Sequence, residues 1–88
     1  MVKYKVIFLK KAEKHKALLK QSYLDDKAKT LLNLISDDPF QTPPSFEKLH
    51  GDFKGAYSRR INHQHRLVYT VDESKREVFI LSMCTHYE

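Results

Sequence analysis

The stretch YSRRINHQHRLVYTV, residues 57–71, decides the fold because it holds two short runs of alternating polarity around a polar break. Such alternation is typical of β-strands with one covered face, and it predicts strands at residues 57–61 and 65–71. The break at residues 62–64 is short enough to join them as an antiparallel hairpin. Three arginines and two histidines of this stretch are thereby fixed on strands instead of lying on a flexible tail.

Outward from this hairpin, the sequence predicts a turn on each side and a further strand beyond each turn. Residues 50–55 contain both glycines of the chain and follow a short alternating segment, FEKL at 46–49, which predicts an edge strand. On the other side, the polar residues 72–76 predict a turn that leads into EVFILSM at 77–83.

The N-terminal half predicts one strand and two amphipathic helices. The apolar run YKVIFL predicts a strand at residues 4–9, and the helix formers that follow predict a helix over residues 10–21. Ser22 followed by Asp25 resembles the start of a second helix. Pro39 ends that helix, because a proline disfavours helical geometry in the residue before it.

This order of elements, β-α-α-β-β-β(-β), predicts an α+β fold with two helices packed on one face of a mainly antiparallel sheet, the other face being uncovered. At 88 residues the chain fits a single domain, residues 1–88. A composition of 41% hydrophobic and 31% charged residues favours a folded chain over a disordered one. No segment is apolar for long enough to span a membrane or serve as a signal peptide, so we expect a cytoplasmic protein without membrane partners.

The charge balance favours anionic partners. Lys and Arg outnumber Asp and Glu by 16 to 11, for a net charge of +5. Long-range attraction to a nucleic acid and simple solubility explain such an excess equally well. Charge alone therefore leaves the partner open.

Three residue types in the C-terminal half fit the chemistry of phosphate cleavage. Strand alternation places Arg66 on the uncovered face, apart from Leu67 and Tyr69, and a guanidinium holds phosphate oxygens through two parallel hydrogen bonds. The imidazole of His86 can donate or accept a proton near neutral pH. The carboxylate of Glu47 can accept a proton from a substrate. The alternative is that these are solvated side chains without chemistry, and the same alternative applies to Arg59 and Arg60.

A metal site is not expected, because the histidines, the carboxylates and the single cysteine, Cys84, show no recognised ligand spacing. A base, a cation and an acid can cleave RNA without metal, so no cofactor is expected either.

The segments FEKLHGDFKGAYSRRI, HRLVYTV and CTHYE together resemble the YoeB/Txe toxins of the RelE superfamily, and the likeness extends as a pattern over nearly the whole chain. The resemblance implies a small RelE-like domain and a ribosome-dependent endoribonuclease. Such a toxin cleaves mRNA in the ribosomal A site by metal-independent acid-base attack of the 2′-hydroxyl, leaves a 2′,3′-cyclic phosphate and inhibits translation.

The same resemblance assigns roles to matching positions. Glu47 is expected to be the general base, Arg66 the cation at the transition state, His86 the general acid, and Tyr87 a residue that orients the substrate. The remaining basic candidates are expected to bind RNA: Arg59, Arg60, His50, Lys48, Lys10, Lys11 and Lys14. Lys48 and His50 stand where many members have a proline and a lysine or arginine, and His50 is expected to titrate within the site.

The resemblance also implies partners. We expect a YefM/Axe-like antitoxin, the ribosome with its mRNA, promoter DNA only through the antitoxin, and a homodimer. The alternative function is a non-catalytic basic module that acts as a transcriptional co-repressor with a DNA-binding antitoxin.

Overall fold

A computed structural model describes residues 4–21, 23–43, 45–51, 55–62 and 65–83. One strand, two helices and four further strands follow one another along the chain, which confirms the predicted order and the α+β class. The elements are β1 Lys5–Phe8, α1 Lys10–Gln21, α2 Asp25–Asp37, β2 Phe46–Lys48, β3 Tyr57–Arg60, β4 Arg66–Asp72 and β5 Glu77–Ser82.

The five strands form one sheet in the order β1-β5-β4-β3-β2. The pairs β2–β3, β3–β4 and β4–β5 are antiparallel, whereas β1 runs parallel to β5. A parallel neighbour requires a long connection, which the helices and the other strands provide here. The mainly antiparallel sheet is therefore confirmed, and the three-residue strand β2 forms one of its edges.

The hydrophobic core lies between the helices and one face of the sheet. Leu67 and Tyr69 of β4 are fully buried there, as the alternation predicts. They pack with the inward side chains of both helices and of β5, which are Ala12, Leu19, Ala28, Leu31, Ile35, Val78 and Ile80.

The face away from the helices is less open than predicted. Val68 alternates away from the Leu67 and Tyr69 side, yet it is also fully buried. Its neighbours in register, Ser58 and Ser82, are nearly inaccessible as well. The side of the sheet away from the helices is therefore not open at Val68.

The sequence predicts the end of α2 correctly, whereas its N-cap is Leu24 and not the predicted Ser22. The helix begins at Asp25 with Leu24 at the N-cap position and without a side-chain cap hydrogen bond, while Ser22 lies outside the described residues. Acidic residues in the first turn favour the positive end of the helix dipole. The helix ends at Asp37, two residues before Pro39, as predicted. Within the described residues, neither helix is long and apolar enough to cross a membrane.

The turn between β2 and β3 needs its two glycines. Gly51 and Gly55 have φ angles of +69° and +91°, in the region that side chains with a Cβ atom rarely adopt. They allow the chain to reverse so that β3 pairs with β2 and leads on to β4.

Candidate active site

Glu47, Ser58 and Arg66 meet on three adjacent strands. Glu47 pairs with Ser58 across β2 and β3, and Ser58 pairs with Val68, two residues after Arg66 on β4. Strand alternation therefore places all three side chains on one side of the sheet. Nη1 of Arg66 donates to Oε1 of Glu47 at 2.5 Å and to Oγ of Ser58 at 3.2 Å. The structure thus brings together the base and the cation that the sequence predicts.

This group lies in an open groove of about 740 Å³. The groove is lined by Lys27, Ser45, Glu47, Ser58, Arg60, Ile61, Asn62 and Arg66. Three cations and one carboxylate give the lining a positive balance, which suits a phosphate backbone. Lys27 and Ser58 had not been predicted as site residues. Lys27 comes from α2, and no local motif links a helical lysine to a distant strand.

The neighbouring arginines Arg59 and Arg60 have different surroundings. Arg60 is exposed and lines the groove. Arg59 points to the other side of β3 and is fully buried, and its guanidinium bonds to Tyr69 and to the carbonyl groups of Pro39 and Gln41. The prediction that Arg59 binds RNA is therefore wrong for this structure, because its side chain has no accessible surface.

Lys48 and His50 lie apart from the groove. Lys48 follows Glu47 on β2, so its side chain points to the opposite side. Both residues line a separate cavity of about 310 Å³, which Leu49, Gly55, Ala56 and Tyr57 complete. The expectation that His50 lies within the site is not met in this structure.

The predicted lysines Lys10, Lys11 and Lys14 are exposed on α1. This helix packs on β5 and β1, and its lysines are not part of the lining of the groove. Their geometry fits either a solvated surface or non-specific contacts with a polyanion.

His86, Tyr87 and Cys84 lie outside the described residues. The chain that leads to them is anchored at Met83, whose amide donates to Nδ1 of His15 on α1 at 3.0 Å. Partial burial lowers the pKa of His15, and the positive charges of Lys11 and His65 lower it further. Within the described part of the chain, no group of three or more His, Cys, Asp or Glu side chains is placed to hold a metal ion.

Comparisons with known proteins agree with this fold. A family model described as "YoeB-like toxin of bacterial type II toxin-antitoxin system" matches residues 10–87. A relative named Toxin YoeB, from Synechocystis sp., is 41% identical over 58 residues, which cover 66% of this chain and 65% of that protein.

Two solved structures from Staphylococcus aureus have the same fold. A heterotetrameric YoeB-YefM toxin-antitoxin complex contains a chain 34% identical to this one, with a TM-score of 0.80 and coverage of 96% of this chain and 98% of that chain. A YoeB dimer has the same identity and TM-score and covers 97% and 99% of the two chains. Since the family model spans most of the sequence and both structures share its architecture, the chain belongs to the YoeB-like toxins of bacterial type II toxin-antitoxin systems.

Proposed function

We propose that this toxin is a ribosome-dependent endoribonuclease that cuts mRNA in the ribosomal A site and thereby inhibits translation. The observation that carries the proposal is the contact between Glu47 and Arg66 in a groove with a positive balance. A carboxylate beside a guanidinium supplies two of the three groups that metal-free RNA cleavage needs. Membership of the toxin family supports the same conclusion.

In the proposed reaction, Glu47 takes the proton from the 2′-hydroxyl and the 2′-oxygen attacks the adjacent phosphorus. Arg66 stabilises the negative charge that develops on the non-bridging oxygens. The bond to the 5′-oxygen breaks, and His86 donates a proton to that oxygen while Tyr87 orients the substrate. The products are a 2′,3′-cyclic phosphate and a 5′-hydroxyl, and the nucleophile comes from the RNA itself.

The positions of the strands are compatible with this division of roles. The contacts with Glu47 and Ser58 use Nη1 of Arg66, and a guanidinium has further N–H donors for phosphate oxygens. Ser82, the last residue of β5, pairs with Val68 close to Arg66.

The cations around the pair supply the expected RNA contacts. Arg60 and Lys27 line the groove and are proposed to hold the mRNA backbone. Lys10, Lys11 and Lys14 are proposed to contact ribosomal RNA without sequence preference, so their contribution weakens steeply with salt.

We further propose a cytoplasmic toxin that is neutralised by a YefM-like antitoxin and that forms a homodimer. The two Staphylococcus aureus structures are a YoeB-YefM complex and a YoeB dimer. Promoter DNA would be contacted only through the antitoxin. Co-repression by a non-catalytic module is the competing function, and it requires no cleavage.

A growth-arrest assay distinguishes the endoribonuclease from the non-catalytic co-repressor. Glu47→Gln, Arg66→Ala and His86→Gln should each relieve the arrest caused by induced toxin while binding of the antitoxin persists. Arg76→Ala, at an exposed turn between β4 and β5, is the matched control and should remain toxic. Retention of full toxicity by all three site variants would show that the proposed site is wrong.

A further inference from the structure

The buried guanidinium of Arg59 joins two segments of the chain that precede and follow β2. Its Nε donates to the hydroxyl of Tyr69 at 3.0 Å. Its Nη2 donates to the carbonyl oxygens of Pro39 at 2.9 Å and Gln41 at 2.7 Å. The Tyr69 hydroxyl donates to the same Pro39 carbonyl at 2.8 Å. The guanidinium also lies 5.0 Å from the ring centre of Phe46.

These contacts surround the start of β2, the strand that carries Glu47. Phe46 immediately precedes Glu47, and Arg59 is its partner in the register between β2 and β3. The ring of Phe46 also packs against Phe40 and Tyr57, with centroid distances of 6.0 and 5.6 Å. Arg59 and the aromatic rings therefore pack against the side of β2 that carries Phe46. The carboxylate of Glu47 lies on the opposite side of the same strand.

Strand β2 depends on such support. It has three residues, and in the described part of the chain it pairs with β3 alone, so its ladder supplies few hydrogen bonds. A short edge strand with little pairing shifts easily, and a displacement of Glu47 alters its distance to Arg66. The guanidinium opposes this shift because it ties the loop carbonyls of Pro39 and Gln41 to β3 and β4.

Burying an arginine at this position has an unfavourable free energy of desolvation. Removing a guanidinium from water has a large desolvation penalty, and well-packed apolar side chains often replace buried charges without loss of stability. Its planar fork of donors, however, fixes several acceptors at once in a single geometry. A lysine has a single ammonium group and an apolar residue has no donor, so neither reproduces that geometry.

We infer that Arg59 is a positioning residue for Glu47, because its side chain anchors the loop and the edge strand that set the distance between Glu47 and Arg66. The inference rests on the proposed function, in which Glu47 is the general base. Arg59 touches neither substrate nor reacting atoms, and it acts on the rate of cleavage through Glu47.

The test compares Arg59→Met and Arg59→Lys with the matched exposed pair Arg76→Met and Arg76→Lys. Single-turnover cleavage of mRNA is measured on programmed ribosomes at increasing ribosome concentration. For Arg59→Met we expect a maximum rate about 10- to 100-fold lower, since small misplacements of a catalytic group cost this much. The half-saturating ribosome concentration should change by less than about twofold, because no RNA contact is lost. Arg59→Lys should lie between the parent and Arg59→Met, and both Arg76 variants should match the parent.

A second comparison shows whether Arg59 acts through Glu47. In a Glu47→Gln background, Arg59→Met should cause no further loss of rate, because the group it positions is already absent. An equal loss in both backgrounds would show general structural damage and overturn the inference. A parent-like rate for Arg59→Met, or a raised half-saturating concentration at an unchanged rate, would also overturn it. If Arg59→Met does not fold, Arg59→Lys is used in the same two comparisons.

Amide hydrogen exchange tests whether Arg59 anchors β2, and it does so independently of the proposed cleavage of mRNA. Arg59→Met should accelerate amide exchange over residues 45–49 and leave exchange of β5 unchanged. If the parent protein cuts no mRNA, the proposed function is wrong, and this measurement still decides whether Arg59 anchors β2. Unchanged exchange over residues 45–49 would overturn the anchoring role, and faster exchange would support it.

Discussion

The carboxylate of Glu47 and the guanidinium of Arg66 are in contact at 2.5 Å, although the two residues are nineteen positions apart in the chain. The contact spans β3, which lies between the strands that carry them. The Glu47 side chain is 65% exposed and that of Arg66 27% exposed. Water therefore screens the pair, and its contribution to stability is small. A small contribution to stability is compatible with the proposed role of both residues in cleavage.

Replacing Arg66 should separate activity from stability. Arg66→Ala should reduce the single-turnover cleavage rate about 100-fold or more, because the cation at the developing negative charge is lost. The free energy of unfolding should fall by only about 1 kcal/mol, since an exposed ion pair and one bond to Ser58 are removed. Urea unfolding and cleavage on ribosomes measure the two effects. A large loss of stability with cleavage retained would contradict this assignment.

Tyr69→Phe should destabilise the buried network around Arg59. The Tyr69 hydroxyl accepts a bond from Arg59 and donates one to Pro39, so its removal leaves a buried N–H donor without that acceptor. We expect the free energy of unfolding to fall by about 1 to 3 kcal/mol, measured by urea titration. Tyr23→Phe is the matched control, because Tyr23 is 90% exposed and should show almost no change. Equal stability of the two variants would show that the network is dispensable.

Stability should depend on pH through His15. Burial, with the charges of Lys11 and His65, lowers the pKa of His15 in the folded state. As the pH falls below the ordinary value of about 6.5, the unfolded chain takes up a proton before the folded chain does, so stability is lost. A protonated ring also ceases to accept the bond from Met83.

The variant His15→Asn keeps an acceptor oxygen but does not titrate. The free energy of unfolding, measured between about pH 5 and 7, should therefore fall less steeply with acid than in the parent. His50→Asn, at an exposed position, is measured alongside as the control for the loss of a histidine. An unchanged slope for His15→Asn would show that His15 does not cause the dependence.

The sequence predicts the elements well because their signals are local. Alternation in residues 57–71 indicates the hairpin, and both glycines mark the turn before it. The placement of Leu67 and Tyr69 in the core follows from the same alternation. The burial of Val68 does not, because Val68 alternates away from the side of the sheet that the helices cover.

The candidate site is only partly predictable. Alternation could have distinguished Arg59 from Arg60, since Arg59 shares a side of β3 with Tyr57. Its acceptors at Pro39 and Gln41 come from a distant loop, and no local pattern reveals them. Lys27 is a similar case, because only the packing of α2 brings it to the groove.

The proposed function requires that Glu47 and Arg66 act together to cut mRNA on the ribosome. Primer extension on translating ribosomes and on naked RNA, with the parent protein and Arg66→Ala, tests it most directly. We predict discrete cleavage by the parent within the A-site codon, little cleavage of naked RNA, and loss of the ribosomal cuts with Arg66→Ala. Unchanged cuts with Arg66→Ala, or no cuts by the parent on ribosomes, would contradict the claim.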